Sequence, residues 1–407
     1  MTDVLDRFMR YVRLDSASVL DNPDRPSSPG QAVFADLLEA ELAGMGGPWA
    51  TARLDDGSLL VRVPAAAGSK GQVHSAFLAH LDTYYNLPGA ANPRLVVSDG
   101  NALELAPDLS IPSRMVSPFV GKRLVVSDGS GLLGADDKAG VASLMAVLAA
   151  IARGECTHGP VDFWFTTDEE IGRIGVDALP PGTGESWDIL WTVDGEDLAE
   201  LSVGDLAIRR ALAVFSGIDA HPCLHGKDLV PAHYAAARFV DRLAELPNPM
   251  TTEGRAPFFQ IASVEGRAER ATVFCRLASF DGADLDPMEA SLRSLADAAA
   301  AAYGAHVAVE VTTGSANFRD AVVARPELVD PARAALRRAG FEPREIEIRG
   351  GTDGGLIAVS FPGLPAPDLG TGARNLHSRA EFLVVDELEA LPGILLDIIG
   401  DYGNGGK

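Results

Sequence analysis

RLVVSDGSGLLGADDKAGVASLMAVLAAI, residues 123–151, carries the fold in brief: an apolar strand, a glycine-rich loop, two adjacent acids and an alanine-rich helix over about 139–151. The same alternation continues on either side. Upstream, SLLVRVPA (58–65) and HSAFLAHLD (74–82) read as strands, the second ending at His80-Leu81-Asp82. Downstream, VDFWFTTDEE (161–170) and DILWTVDGE (188–196) are apolar runs that stop on acids. Strands alternating with helices predict an α/β sheet whose functional loops lie at strand C-terminal ends. Ahead of them come an opening helix (about 4–14), a DNPDRPSSPG loop (21–30) and a second helix from Gln31 to about Met45. The Pro-, Gly- and Asn-rich stretch over about 84–121 reads as irregular.

Between about 206 and 316 the pattern changes. LAIRRALAVFSG is a strand and KDLVPAHYAAARFVDRLAEL a helix; PFFQIASVEG and RATVFCRLASF form a hairpin, MEASLRSLADAAAAAYG a helix and HVAVEVTT a strand. That order, βαββαβ, is a split ferredoxin-like unit. It reads as an insertion, because PELVDPARAALRRAG, REIEIRGGTDGG and a terminal helix then resume the earlier style.

At 407 residues the chain has room for two domains. The three cysteines (Cys156, Cys223, Cys275) lack CxxC spacing, which argues against a disulfide framework and against a thiolate zinc site. No run reaches the length of a membrane span and no signal-type leader is seen, so a reducing cytoplasm is the expected location. A formal net charge of −23 disfavours nucleic acid and anionic membrane as partners.

Five places could carry chemistry. In His80-Leu81-Asp82, residues i and i+2 share a strand face, so Asp82 can orient the imidazole while the other ring nitrogen faces a metal; taken alone, such a pair also arises by chance on a surface. Asp136 and Asp137 stand at a strand-to-helix turn, where they could cap the helix or supply a carboxylate that bridges two metal ions. Asp168-Glu169-Glu170 is either a solvated acidic turn or a ligand beside a general base. Asp194 ends an apolar strand, where an acid without a partner is costly. His377, in Asn375-Leu376-His377-Ser378-Arg379, is one of eight histidines and by itself reads as structural or exposed. Together these are hard or borderline donors that suit zinc or cobalt.

Gly129-Ser130-Gly131-Leu132-Leu133-Gly134 also matches the dinucleotide GxGxxG pattern, but Asp136 and Asp137 at the following helix start would repel a pyrophosphate. Arg349-Gly350-Gly351-Thr352-Asp353-Gly354-Gly355 lacks the ending of a phosphate-binding P-loop.

The set resembles the zinc-dependent exopeptidase family that includes aminoacylase and glutamate carboxypeptidases, and within it the peptidase T (tripeptide aminopeptidase) group. The resemblance is carried by AHLDT (79–83), LLGADDKAG (132–140), TTDEEIG (166–172), TVDG (192–195), IRGGTDGG (348–355) and LHSRAEF (376–382), with weaker echoes in RFMRYVRLDS, SGIDAHP and VEGRAERA. It implies a mixed-sheet catalytic domain (1–205 and 317–407) with an inserted ferredoxin-like lid domain (206–316). It implies two zinc ions per chain, replaceable by cobalt or manganese, with Asp136 bridging, His80 and Asp194 completing one ion, and Glu170 and His377 the other. Asp82 would orient His80, Glu169 would be the general base, and the peptide bond after Asp136 would be cis. His221 would stabilise the oxyanion, and Arg349 and Asn317 would hold the substrate's backbone or carboxylate. The implied substrate is a short peptide and the implied assembly a monomer or homodimer. Two rival readings keep the same residues: an amidohydrolase of N-acyl amino acids or a dipeptide, and a metal-binding scaffold without catalysis. The chain departs from the group at Glu196, at Cys223-Leu224-His225, at TYYNLPGAANP (83–93), and at Ala278, where the family strand carries an arginine and Arg276 lies two residues earlier. These departures fall around substrate recognition.

Overall fold

Three parallel strands, Ser75–His80, Val161–Thr166 and Ile189–Gly195, lie side by side in an eight-stranded mixed sheet. The structure is a computed structural model that describes residues 3–173 and 175–404. The central strands are apolar along nearly their whole length because neighbours cover both edges and helices cover a face. Phe77, Phe163, Trp164, Phe165 and Trp191 are all fully buried. Across the sheet the order is 50–53, 59–63, 161–166, 75–80, 189–195, 368–370, 200–202 and 344–346. The helix Ala135–Ala152 packs on the strands 75–80 and 189–195, and the helices Asp3–Tyr11 and Val385–Gly403 pack on it in turn. Gly140 permits that approach, since a β-carbon there would run into the Val193 carbonyl.

The stretch over 84–121 is more ordered than its composition suggests. Arg94–Val97 pairs with Arg123–Val126 in a second, four-stranded sheet completed by Phe382–Val384 and Ala373–Arg374, and Leu103–Ala106 pairs with Leu109–Ile111. Arg94–Val97 is an exposed edge strand, so it carries no buried alternation for a sequence reading to detect.

By contacts the chain divides into two compact units: 1–203, 320–346 and 363–407 form the first, and 204–319 with 347–362 form the second. The second is a four-stranded antiparallel sheet in the order 258–266, 270–279, 207–216 and 306–315, with the helices Ala232–Ala244 and Leu285–Ala301 on one face. This is the expected βαββαβ unit. Its ends lie two or three residues beyond the expected bounds, at 204 and 319, and a longer stretch placed elsewhere by the sequence expectation, 347–362, also belongs with this second unit. Its backbone is tied there by Leu206 N–H to the Gly350 carbonyl, Ile348 N–H to Gly204 and Ala316 N–H to Gly355. The helix Asp353–Ser360 within it escaped notice because glycines fill its first turn. All three cysteines are free, and no helix among the described residues is long and apolar enough to cross a membrane.

Candidate metal centre

Strand register delivers the ligand candidates to one sheet edge. His80 lies level with Thr166, so the acidic loop 168–170 begins just past it; Leu78 lies level with Thr192, which puts Asp194 level with His80 on the other side. Asp136 comes from the entry to the helix Ala135–Ala152, where it and Asp137 have non-helical dihedrals and are joined by a cis peptide bond. His377 comes from the loop after the strand Ala373–Arg374, with φ at 57°.

The first unit brings all five expected ligands together. Asp136 turns one carboxylate oxygen to each histidine: Oδ1 is 2.9 Å from His80 Nε2 and Oδ2 is 3.1 Å from His377 Nε2. Glu170 Oε2 is 3.0 Å from His377 Nε2, and Asp194 Oδ1 is 3.5 Å from His80 Nε2. Glu170 Oε1 and Asp194 Oδ1 are buried and without a hydrogen-bond partner, an arrangement that costs free energy unless a cation satisfies it.

The electrostatics agree. Burial, reinforced by the Asp136 charge, pushes Glu170 up to about 8 and carries Asp194 well above the ordinary carboxylate range. Burial with the charges of Asp82 and Asp136 pushes Glu169 up to about 7. Burial opposes the charge on each imidazole, yet the facing carboxylates outweigh it, raising His377 to about 10 and His80 well above its usual value. Burial likewise opposes the charge on Asp136, but the two imidazoles hold it well below the carboxylate range. A cluster that protonates acids and charges histidines to offset itself is one that divalent cations would neutralise. The residues therefore fit two metal ions. His80, Asp136 and Glu170 on one hand, and His80, Asp137 and Asp194 on the other, offer donor atoms within 4.8 Å of one another. Asp137 is the weaker ligand candidate, because its two oxygens already accept the backbone N–H groups of His80 (3.1 Å) and Gly140 (3.0 Å).

Asp82 does more than the strand pattern implied. Its carboxylate accepts the backbone N–H of Glu169 (3.0 Å) and of Glu170 (3.1 Å), fixing the acidic loop. His80 Nδ1 meets the Asp82 carbonyl at 3.0 Å and the carboxylate only at 3.5 Å. Two buried acids that sequence reasoning did not single out, Glu381 and Asp368, support the site, and so does Asp168 of the acidic run. Glu381 accepts the N–H groups of Gly134 (2.8 Å) and Asp136 (3.1 Å), occupying the helix-start donors that a pyrophosphate would need. Asp368 accepts Thr192 Oγ1–H (2.7 Å) and Asp194 N–H (3.1 Å). Asp168 accepts from Ser27 Oγ (2.5 Å) and Gln31 Nε2 (2.7 Å), while its own N–H donates to Gln31 Oε1 (3.0 Å). The available signal was an acid inside a quoted motif or at an apolar strand end; the partners, distant in sequence, were not legible.

The remaining expected residues lie in the second unit. His221 is exposed at the head of the short helix Pro222–His225; its Nδ1 accepts Leu224 N–H (3.3 Å), which in the neutral ring leaves the proton on Nε2 as a free donor. Arg349 donates to the carbonyls of Gly254 (2.5 Å) and Ala256 (3.1 Å) and to Thr252 Oγ1 (2.7 Å), and it stacks on Phe258. Asn317 donates to the Phe280 carbonyl (2.9 Å) and accepts Arg319 N–H (2.9 Å). Both side chains are thus engaged within their own unit. Arg276 stands directly across from Arg210 on neighbouring strands, and neither has a carboxylate partner among the described residues.

The profile of the peptidase family M20/M25/M40 matches residues 118–401. Peptidase T of Desulfitobacterium hafniense (strain Y51) is 33% identical, with 99% of this chain and 98% of that protein covered. Peptidase T of Geobacillus sp. (strain WCH70) is 32% identical, with 98% of each covered. Among solved structures, aminopeptidase PepT from Bacillus cereus ATCC 10987 superposes with a TM-score of 0.73 at 22% identity, and a Staphylococcus aureus tripeptidase with 0.75 at 21%, each over 98% of both chains. A Bacillus subtilis protein described as a dinuclear metal binding peptidase from the M20 family shares the fold at a TM-score of 0.64 and 15% identity, over 97% of this chain and 96% of that one. On the full-length match, the chain belongs to the peptidase family M20/M25/M40, among its peptidase T-like hydrolases.

Proposed function

We propose that the chain is a two-zinc aminopeptidase that removes the N-terminal residue from tripeptides or other short peptides, and that it works in the cytoplasm. The observation that carries this reading is the Asp136 carboxylate, with one oxygen on each of two histidines and Glu169 beside it in the same loop as Glu170. His80 and Asp194 would hold one ion, Glu170 and His377 the other, and Asp136 both. Two divalent ions so held would polarise the scissile carbonyl and make a water easier to deprotonate. Glu169 then takes the water proton and returns it to the leaving amine, a role suited to a carboxyl raised toward neutrality. Asp82 keeps Glu169 and Glu170 in register by holding both backbone amides. His221, with its donor on Nε2, would oppose the charge that develops on the tetrahedral oxygen.

Within the second unit, Arg210 and Arg276 would offer a substrate carboxylate two guanidinium groups that have no carboxylate partner among the described residues. Like charges directly opposite on neighbouring strands are unfavourable, and an anion between Arg210 and Arg276 relieves them. Arg276→Ala is expected to raise KM for tripeptides by about tenfold or more, the worth of one charge-assisted hydrogen bond, with a smaller effect on kcat. Steady-state kinetics check it, and an unchanged KM counts against this assignment.

The deciding experiment is a panel of free di-, tri- and tetrapeptides beside N-acyl amino acids, with and without chelator. Tripeptide cleavage that chelator abolishes and zinc or cobalt restores is the expected result. Turnover of N-acyl amino acids alone would replace the reading with an amidohydrolase. No turnover of any of them by metal-loaded protein would leave a binding scaffold.

A further inference from the structure

The two histidines of the centre are held in different ways. His80 is buried at the end of a central strand, and its Nδ1 meets the Asp82 carbonyl at 3.0 Å. A metal-binding imidazole is ordinarily oriented like this, through the ring nitrogen that faces away from the metal. His377 has no such bond. Its carboxylate contacts are both made through Nε2, and Nδ1 has no hydrogen-bond partner among the described residues. Its side chain is 45% exposed and its backbone lies in a loop at φ 57°, so neither burial nor a regular element fixes the ring.

Tyr84 covers it instead. The two rings are parallel to within 1°, with centroids 4.2 Å apart. A parallel, close stack is a poor arrangement for two like aromatic rings, whose negative faces repel. It becomes favourable when one ring is electron-poor, as an imidazole is once its other nitrogen binds a cation. The tyrosine is itself held in place. Its hydroxyl accepts from Asn86 Nδ2 (3.0 Å), and the Tyr85 ring leans on it with centroids 4.7 Å apart. Just upstream, Thr83 exchanges backbone hydrogen bonds with Ser16 and Ser18. Downstream, Gly89 N–H donates to Asp15 (3.2 Å), and the Gly89 carbonyl accepts from the buried Lys138 ammonium (3.2 Å). The segment 83–89 is therefore anchored at both ends, and it can hold a ring face against His377.

We propose that Tyr84 is a positioning residue for His377: its ring face takes the place of the missing hydrogen bond at Nδ1 and keeps Nε2 aimed at Asp136 and Glu170. The inference rests on the two-metal reading above, and it concerns the ion that His377 binds.

The test is cobalt(II) titration of the full-length chain, read by visible absorption and by competition with a chelating dye. The set comprises wild type, His377→Ala, Tyr84→Phe, Tyr84→Leu and Tyr84→Ala. Tyr84→Leu and Tyr84→Ala are expected to weaken one of two binding steps by about tenfold or more, the scale of an outer-shell partner, and to alter the absorption band of that ion only. Tyr84→Phe keeps the ring face and should stay within about twofold of wild type. Tyr84→Leu and Tyr84→Ala binding both ions as wild type does, while His377→Ala loses one, would overturn this inference alone. Tyr84→Phe weakening as much as Tyr84→Ala would also overturn it, because the hydroxyl would then be responsible. Wild type taking up fewer than two ions, or His377→Ala keeping both unchanged, would overturn the metal-site reading and this inference with it.

Discussion

Glu169→Gln is expected to lower kcat by about 10²–10⁴-fold, the usual contribution of a positioned general base, and to leave the metal content unchanged. The side chain keeps its size and loses its ability to take a proton. Its backbone N–H still donates to Asp82, so the neighbouring Glu170 keeps its position. No expected metal contact involves Glu169: the oxygens that meet the two histidines belong to Asp136, Glu170 and Asp194. KM should change little, because an interaction that matters mainly in the transition state acts on kcat. Steady-state kinetics beside a metal count on the same sample check the result. A Glu169→Gln chain as active as wild type would remove the mechanism, and one that has lost its metal would make Glu169 a ligand.

Asp136→Ala is expected to have the larger effect, with loss of both ions and of all measurable hydrolysis. Among the described residues, only Asp136 reaches both histidines, at 2.9 Å and 3.1 Å through different oxygens. Removing it deprives both ions of a donor at once. The loss of affinity should exceed the roughly 10–100-fold that an outer-shell partner is worth. His80→Ala or His377→Ala should weaken one ion more than the other. Metal analysis after dialysis, compared across the three variants, tests this ordering. An Asp136→Ala chain that retains two ions would show that Asp137, which stands with His80 and Asp194, is the bridging group instead.

Much of this centre was legible in the sequence for a definite reason. Parallel strands enclosed on both sides must be apolar, so HSAFLAHLD, VDFWFTTDEE and DILWTVDGE are conspicuous as runs, and an acid or histidine at the end of such a run lies at the sheet edge. The βαββαβ unit was legible because its helices and strands are amphipathic with clear periods. What was hidden is cross-chain pairing. Asp82 and Asp136 read alike as acids near a strand end, yet one grips the backbone of the 168–170 loop and the other faces two histidines. Glu381 looked like one more acid after His377, and it holds the turn that presents Asp136.

For RLVVSDGSGLLGADDKAGVASLMAVLAAI, the sequence alone determined that a strand, a glycine turn, an acidic pair and a helix follow in that order, because local propensity and periodicity act over a few residues. Which of the two acids faces the histidines was decided only in three dimensions. Asp137 turns to the amides of His80 and Gly140, and Asp136 is left to face His80 and His377. The same holds for Tyr84 against His377 and for 347–362 in the second unit. Each depends on contacts between residues far apart in the chain, and such contacts leave no local pattern to read.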